Sequence, residues 1–377
     1  MPHSEREAGH DRDRVEAKRL ILAGLGNVGR SFLGLLRSQQ SLLRERYRVA
    51  FVVVGAADSG GAAIDPAGLD VAALLAAKQA GRSVATLPRV GQPEMAGAEL
   101  ARTIDADILL EATPVNLQHG QPGLDIVRAA LGRGLHVVLA NKGPLVLAYA
   151  ELAALSDLAA EVGGGQAGEA PAARPRFRPP CLRFSACVGG YLPTVNLGRR
   201  DLAGARIERV EAVLNGTTQG ILRMMEAGVS YAEALAEMQR RGLAETDPTL
   251  DVEGWDAANK LVILANAVLG RPTTLADVAV EGITRLTTTD LRAAGERGER
   301  IVLLCLAEWQ HATYRLSVRP TALPLDHPLA RMGGDEMGIV YYTDIGNRLS
   351  ATTREHDPRP TAAAMLRDVL EIVKRQT

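Results

Sequence analysis

Short apolar runs alternate with segments of helical apolar spacing over the first 150 residues of the chain. A short apolar run predicts a buried strand, and apolar residues spaced three or four apart predict a helix. The predicted strands lie at 18–23, 48–55, 106–112 and 135–140, and the predicted helices lie at 30–40, 69–80 and 124–133. Strands that alternate with helices are typical of βαβ units. The pattern therefore predicts an N-terminal α/β domain with a doubly wound, mainly parallel sheet.

The second half of the chain mixes strands and helices without this strict alternation. The predicted strands lie at 182–187, 207–214, 312–319 and 338–343, and the predicted helices lie at 231–241, 252–269 and 361–375. Such a mixture is typical of an α+β domain. We therefore predict an α/β domain at 17–150, completed by the C-terminal segment 340–377, and an α+β substrate domain at 151–339.

Two segments fall outside these domains. Residues 1–16 are polar and charged, which predicts a flexible tail. Residues 163–180 are rich in glycine, proline and arginine, which predicts a flexible surface insertion. The alternative for this insertion is that its basic residues form a partner site.

Composition narrows the function classes. The 377 residues carry a formal net charge of −1, from 43 basic and 44 acidic residues, so no basic excess exists to bind nucleic acid. Cys181, Cys187 and Cys305 are too few and too scattered for a disulfide framework or zinc knuckle. No apolar run reaches the ~18 residues of a membrane span, and the N-terminus lacks the apolar core of a signal peptide. We therefore expect a cytoplasmic protein with no membrane or nucleic-acid partner.

Residues 24–29, with the sequence GLGNVG, follow the first predicted strand and open the first predicted helix. In that context the pattern predicts a Rossmann dinucleotide-binding turn, in which glycines allow a tight turn and close packing. Gly24, Gly26 and Gly29 are these glycines, and the helix N-terminus at Asn27 and Val28 offers N–H groups to phosphates. The alternative is an ordinary strand–helix turn.

The acid that selects NAD over NADP belongs at the end of the second strand. Asp58 is the nearest candidate, but it lies 29 residues after Gly29, where about 20 is usual. It also falls two or three residues beyond the predicted strand end. Asp58 either accepts the ribose hydroxyls or caps the turn that follows it, so the choice between NAD and NADP stays open.

Acidic residues surround one lysine at 245–260. Asp256 and Lys260 are four residues apart and share one helix face. A surface ion pair is one interpretation. The other is an acid/base lysine, which moves the proton that accompanies hydride transfer at a carbonyl carbon. Two further candidates, Thr113-Pro114 and Asn141-Lys142, follow parallel strands at the sheet edge where ligands bind.

Taken together, five motifs resemble homoserine dehydrogenases in order and spacing: GLGNVG, ATP at 112–114, ANKGPL at 140–145, LNGTT at 214–218 and ETDPTLDVEGWDAANKLVIL at 245–264. The resemblance spans roughly residues 19–375. It implies the interconversion of L-homoserine and L-aspartate 4-semialdehyde with NAD or NADP, in threonine and methionine biosynthesis. It also implies a homodimer formed through the substrate domain.

The resemblance assigns roles to matching positions. Lys260 matches the proton donor and acceptor, Asp256 matches the carboxylate beside it, and Lys142 matches a lysine near the nicotinamide and the substrate carboxylate. The residues expected to bind the substrate are Glu245, Asp251, Thr217, Gly216 and Asn215. The residues expected to bind the cofactor are Gly24, Gly26, Asn27, Val28, Gly29, Asp58, Thr113, Pro114, Asn141 and Lys142.

The resemblance also implies a sodium ion bound by backbone carbonyls in the loop 185–192. The carbonyls expected to bind it are those of Ser185, Val188, Gly190 and Leu192. This loop departs from the family, which commonly has an acid at the position of Ser185 and a small residue at that of Tyr191. Many relatives also close over the cofactor with a glycine-rich turn near the C-terminus, whereas residues 354–360 contain no glycine.

Three functional hypotheses remain at this point. The first is homoserine dehydrogenase. The second is a related dehydrogenase for another amino or hydroxy aldehyde in specialised metabolism, which the two departures motivate. The third is a non-catalytic NAD(P)-binding regulator, which would not need Lys260, Asp256 and Lys142.

Overall fold

The computed structural model describes residues 15–159 and 178–376, which divide into two compact units. Among these residues, the first unit comprises 15–144, 151–159, 178–184 and 361–376, and the second comprises 145–150 and 185–360. Most of the predicted tail and insertion lies outside the described residues. Glu16, placed in the tail by the sequence, instead opens the first strand.

The first unit is built on a mainly parallel sheet. Its described strands are β1 (Glu16–Ala23), β2 (Val49–Asp58), β3 (Gly61–Ile64), β4 (Gly91–Pro93), β5 (Ile108–Glu111), β6 (His136–Leu139) and β7 (Leu182–Arg183). Their order across the sheet is β4-β3-β2-β1-β5-β6-β7. Strands β2, β1, β5, β6 and β7 run parallel to one another, whereas β3 pairs antiparallel with both β2 and β4. The side chains of Leu20, Ile21 and Leu109 are fully buried, as expected of a parallel sheet covered on both faces. The predicted α/β class is confirmed.

Helices follow the parallel strands. They are α1 (Asn27–Ser38), α2 (Gln40–Tyr47), α3 (Val71–Gln79), α4 (Gly97–Thr103), α5 (Gly123–Gly132) and α6 (Gly143–Ala154). Helix α1 buries Phe32, Leu33 and Leu36, which are spaced as an amphipathic helix requires.

The second unit contains a mixed sheet with helices. Its described strands are β8 (Ile207–Val213), β9 (Val278–Val280), β10 (Glu299–Gln310), β11 (Thr313–Pro324), β12 (Glu336–Thr343) and β13 (Asn347–Arg354). Their order is β13-β12-β8-β10-β11-β9, antiparallel except for β9 beside β11. Its helices are α7 (Thr194–Asn196), α8 (Gly216–Glu226), α9 (Tyr231–Arg240), α10 (Thr249–Val252), α11 (Trp255–Ala267) and α12 (Thr288–Glu296). This mixture confirms the predicted α+β class.

Helix α11 packs its apolar face on the second sheet. Ala258, Leu261 and Val262 are fully buried. The sequence predicted one continuous helix over 252–269, but Gly254 adopts a left-handed conformation (φ 85°) and separates α10 from α11. Trp255 opens α11 with 40% of its surface exposed, so it lies outside the buried face of this helix.

The observed units differ from the predicted domains at two boundaries. Residues 178–184 belong to the first unit because β7 extends the parallel sheet beside β6. Residues 340–360 belong to the second unit because β12 and β13 form an antiparallel hairpin of its sheet. Of the C-terminal segment, only the described residues 361–376 lie in the first unit, within helix α13 (Arg359–Gln376).

The three cysteines are free and buried. Burial raises the pKa of Cys181 to about 11 and that of Cys305 to about 12. Within the described ranges, no cluster of three or more His, Cys, Asp or Glu side chains could hold a metal ion. Among the described helices, none combines the length and apolar character that crossing a membrane requires.

A buried arginine ties helix α13 into the first unit. Arg183, 5% exposed, donates from Nη2 and Nη1 to the two carboxylate oxygens of Asp157, at 2.7 and 3.0 Å. Its Nε donates to Glu371 of α13 at 3.0 Å. One guanidinium group therefore joins a strand end to the C-terminal helix.

We predict that Arg183→Ala lowers the free energy of unfolding by about 3 kcal/mol, because the half-buried Asp157 carboxylate loses its two-point partner and keeps the exposed Arg375 and the Leu182 N–H. The control is Arg128→Ala, which removes an exposed pair with Glu151 and costs about 1 kcal/mol or less. Urea unfolding followed by circular dichroism measures both variants. Equal losses would show that the buried arginine has no special stabilising role.

Candidate active site

The glycine turn lies between β1 and α1 in the first unit. Gly24 has φ +96°, and a Cβ there would lie 2.4 Å from the carbonyl carbon of Ala112. A Cβ at Gly29 would lie 2.1 Å from the carbonyl oxygen of Gly24. At Gly26, by contrast, no described atom lies within 4 Å of the Cβ position. The backbone at Gly26 is thus open to a ligand beside the N-terminus of α1, as the motif requires.

The carboxylate of Asp58 is fully engaged by the protein. Oδ1 accepts from Ser83 Oγ at 2.6 Å and from the Gly60 N–H at 2.9 Å. Oδ2 accepts from Lys78 Nζ at 2.6 Å and from the Val84 N–H at 3.1 Å. Burial opposes the charge, but these donors hold the pKa of Asp58 below its usual value. Asp58 is also the last residue of β2, which runs further than predicted. This geometry favours the turn-capping interpretation, since ribose hydroxyls would have to displace existing donors.

The turns after β5 and β6 share one buried polar cluster. Asn141, 2% exposed, accepts from the Gly143 N–H at 2.9 Å and donates from Nδ2 to Thr113 Oγ1 at 3.3 Å. Thr113 donates from its backbone N–H to Glu111 Oε1 at 2.8 Å, and its hydroxyl also hydrogen-bonds that oxygen. The structure thus brings Thr113 and Asn141, both expected at the strand ends, into hydrogen-bonding contact.

Sequence reasoning missed Glu111, which is fully buried at the last position of β5. The available signal was an acid that ends an apolar strand directly before Thr113-Pro114. Lys142, the neighbour of Asn141, is half-buried and stands at the N-terminal end of α6.

In the second unit, Lys260 and Asp256 form a sheltered pair on α11. Lys260 Nζ lies 2.7 Å from Asp256 Oδ2, and each side chain is 13% exposed. The ammonium group also donates to the carbonyl oxygen of Leu214, directly after β8. The pair is therefore not an ordinary exposed ion pair between helix neighbours.

Asn215 joins this pair to a second carboxylate. Its Nδ2 donates to Asp256 Oδ2 at 2.9 Å and to Asp251 Oδ1 at 2.6 Å. Its Oδ1 accepts from the Thr218 N–H at 2.9 Å and so caps α8. The capping requirement and the two carboxylates together fix the orientation of the amide.

Burial, with the nearby Asp256 carboxylate, raises the pKa of Asp251, although Asn215, Lys260 and Thr217 act in the opposite direction. Two carboxylates facing one ammonium group leave the cluster with one negative charge in excess when all three are ionised. A site with that balance suits a cationic group on a ligand.

The remaining predicted substrate residues are placed differently. Thr217 is 8% exposed and donates from Oγ1 to the Leu243 carbonyl at 2.9 Å, at the start of α8 beside Gly216. Glu245 is exposed, and its backbone carbonyl accepts from Gln239 Nε2 at 3.1 Å. The described contacts therefore do not bring the Glu245 side chain into the lysine cluster.

The predicted sodium loop is held by its own backbone. The carbonyl of Val188 accepts from Thr194 Oγ1 at 2.8 Å, and that of Leu192 accepts from the Thr194 N–H at 2.8 Å. The carbonyl of Ser185 accepts from the Val188 N–H at 3.4 Å. Three of the four expected oxygens therefore already accept one hydrogen bond each.

Sequence reasoning also missed a carboxylate at this loop. Glu355 Oε1 accepts from the Tyr191 N–H at 2.5 Å. A Cβ at Gly190 would lie 2.4 Å from Glu355 Oε2. Glu355 belongs to the stretch 354–360, which contains no glycine. The two expected departures from the family, Tyr191 and this stretch, therefore contact each other.

Two family models match the chain. The NAD-binding domain of homoserine dehydrogenase matches residues 24–165, and homoserine dehydrogenase matches residues 193–370. A homoserine dehydrogenase from Methanocaldococcus jannaschii is 35% identical over 94% of this chain and 98% of that protein. A NAD(+)-dependent homoserine dehydrogenase from Pseudomonas canavaninivorans is 31% identical over 95% of this chain and 97% of that protein. The crystal structure of a homoserine dehydrogenase from Thiobacillus denitrificans has a TM-score of 0.78 at 28% identity, over 96% of this chain and 74% of that one.

Proposed function

The chain belongs to the homoserine dehydrogenase family, and from this premise we propose that it interconverts L-homoserine and L-aspartate 4-semialdehyde with NAD or NADP. The observation that carries the proposal is the sheltered Lys260–Asp256 pair, joined through Asn215 to Asp251. We further propose that the protein acts as a cytoplasmic homodimer in threonine and methionine biosynthesis, as membership of the family supports.

The first unit supplies the features that a dinucleotide needs. The space beside the Gly26 backbone is open. Asn27 and Val28 are the first residues of α1, so no preceding helical turn offers carbonyl oxygens to accept hydrogen bonds from their N–H groups. These groups and the helix dipole would hold the diphosphate. The bound nicotinamide supplies or accepts the hydride. Lys142, after β6, would act at the carboxylate of the substrate.

Lys260 would move the proton. In the reductive direction its ammonium group donates a proton to the aldehyde oxygen as that oxygen becomes a hydroxyl, and in the oxidative direction the amine takes the hydroxyl proton back. Asp256 Oδ2 pairs with Nζ at 2.7 Å, and the Leu214 carbonyl fixes the direction of Nζ.

The excess negative charge would bind the α-ammonium group of the amino acid. Asp251 supplies this charge, since Asp256 is already paired with Lys260. Glu245 remains part of the proposal as a second carboxylate for the amine, from the exposed segment before α10.

The first test is oxidation of L-homoserine by the purified protein at alkaline pH, followed by absorbance at 340 nm with NAD+ and with NADP+. We expect turnover with at least one coenzyme. Oxidation of another amino or hydroxy alcohol in place of L-homoserine would favour the related-dehydrogenase hypothesis. Coenzyme binding without oxidation of any such alcohol would favour a regulator.

The second test addresses Lys260. We expect Lys260→Ala to lower kcat by about 100- to 10,000-fold, the usual contribution of general acid–base catalysis, with little change in the coenzyme Kd. The matched control is Lys374→Ala, which removes an exposed lysine stacked on Tyr47 in the first unit. Normal kcat in Lys260→Ala would show that another group transfers the proton.

The third test addresses sodium. Backbone carbonyls suit a hard cation, and a carbonyl oxygen that accepts one hydrogen bond, as those of Val188 and Leu192 do, has a second lone pair. We therefore propose that this loop, with Gly190, binds sodium. Replacing sodium chloride by tetramethylammonium chloride at equal ionic strength should lower kcat/KM several-fold. Unchanged kinetics would remove sodium from the proposal, without affecting the assignment of Lys260.

A further inference from the structure

The buried carboxyl group of Glu111 is not used by the proposed reaction, yet it lies among the strand-end turns of the first unit. The residue is 0% exposed. Its Oε1 accepts from the Thr113 backbone N–H and hydroxyl and, at 3.5 Å, from Asn141 Nδ2. Its Oε2 is buried and has no hydrogen-bond partner among the described residues.

The helix that follows β5 leaves room for this group. A Cβ at Gly123, the first residue of α5, would lie 3.2 Å from the carboxyl carbon of Glu111 and 2.5 Å from Asn141 Nδ2. Any larger residue at Gly123 would therefore displace the cluster. The carboxyl and amide groups fill the space between the ends of two strands and the start of α5.

A direct backbone contact links the cluster to the glycine turn. A Cβ at Gly24 would meet the carbonyl carbon of Ala112 at 2.4 Å and the nitrogen of Thr113 at 2.6 Å. The same nitrogen donates to Glu111 Oε1. The peptide that Glu111 holds is thus the one against which the glycine turn packs.

We propose that Glu111 is a positioning residue for coenzyme binding, which in its neutral form holds the turns after β5 and β6 against the glycine turn. The inference rests on the proposed coenzyme site. It adds a pH-dependent control of coenzyme affinity, exerted by a residue that makes no contact with the reacting atoms.

Two physical arguments favour the neutral form. A buried carboxylate oxygen without a donor is costly, and Oε2 has none among the described residues. A negative charge beneath the glycine turn would also repel the diphosphate of the coenzyme. Burial raises the pKa of Glu111 to about 7, despite the hydrogen bonds from Thr113 and Asn141. The acid therefore ionises within the range of ordinary assays.

The groups around Glu111 do not titrate in its place. Its register neighbours are Ala23 on β1 and Leu139 on β6, and Gly123 opens the adjacent helix. Its described polar contacts, Thr113 and Asn141, are uncharged. The ionisable residues of the same turns are Lys142, which follows Asn141, and His119, whose described hydrogen bonds are to Asn116 and the Gln121 N–H. Their titration is common to the wild type and a variant at Glu111.

The test compares coenzyme Kd values of the wild type and Glu111→Gln from pH 5.5 to 8.5, by NADH or NADPH fluorescence without substrate. Wild-type binding should weaken about three- to tenfold as pH rises through 7, because ionisation adds the unfavourable charge. The Gln variant should keep its low-pH affinity throughout, since its amide stays neutral. Titration of a coenzyme phosphate affects both proteins equally and cancels in the comparison.

The controls separate positioning from general stability. Glu211→Gln changes another buried carboxylate, in the second unit, and should keep the wild-type pH profile. Glu111→Ala leaves the Thr113 and Asn141 donors unmatched and should weaken binding at every pH. Glu111→Gln remains the decisive variant if the Ala variant does not fold.

The melting temperature without coenzyme gives a second measurement. The folded-state pKa of Glu111, about 7, exceeds the ordinary 4.5, so its stabilising contribution is complete below pH 4.5 and is lost as pH rises through 7. The melting temperature of Glu111→Gln relative to the wild type should therefore rise over that range. Identical pH profiles of coenzyme affinity in the wild type and Glu111→Gln would overturn the inference. Failure of the wild type to bind either coenzyme at any pH would instead overturn the proposed coenzyme site.

Discussion

The close contact between the backbone of Gly24 and the peptide joining Ala112 to Thr113 is the constraint on which the polar groups at the strand ends of the first unit depend. It leaves no room for a side chain at Gly24. The side chains of Glu111 and Asn141, next to that peptide, are buried and must therefore find hydrogen-bond partners within the protein. Thr113, Asn141 and Glu111 do so, with the exception of one carboxyl oxygen. The glycine turn, the proposed diphosphate site, thus packs against buried polar groups one layer deeper.

The two units place their polar groups under different electrostatic conditions. The proposed diphosphate site relies on N–H groups and a helix dipole, which tolerate an anion because no carboxylate charge need lie nearby while Glu111 is neutral. The lysine cluster instead concentrates full charges, with Asp256 paired directly with Lys260 and Asp251 joined to this pair through the amide of Asn215. The first arrangement suits a permanent anion, and the second suits a cationic ligand and a mobile proton.

The sequence predicted best what is local in the chain. The strand, glycine turn and helix of 16–38 depend on neighbouring residues and were predicted with ends within three residues of those observed. The long hairpin strand β10 was missed, although its apolar run is visible and β11 follows it directly. Its pairing with β8, by contrast, joins residues far apart in sequence. The Lys260–Asp256 pair follows from helical spacing, whereas the links through Asn215 do not. Burial of Glu111 and the four donors to Asp58 likewise arise from tertiary packing, which no spacing rule describes.

The departures from the family at Tyr191 and at 354–360 are mutually consistent. Glu355 binds the backbone N–H of Tyr191, so this contact does not depend on which side chain stands at position 191. The Tyr191 side chain is 50% exposed, which explains why a large residue is accommodated there. Gly190 cannot be replaced as easily, because a Cβ would occupy the position of the Glu355 carboxylate. The loop therefore requires glycine at position 190 but accommodates a large side chain at position 191. Glu355, from the stretch 354–360 that contains no glycine, makes a charged contact with the loop. A glycine-rich turn at the same place would have no side chain to make it. The carboxylate oxygen lies beside a loop of carbonyls and therefore favours a cation there over an anion.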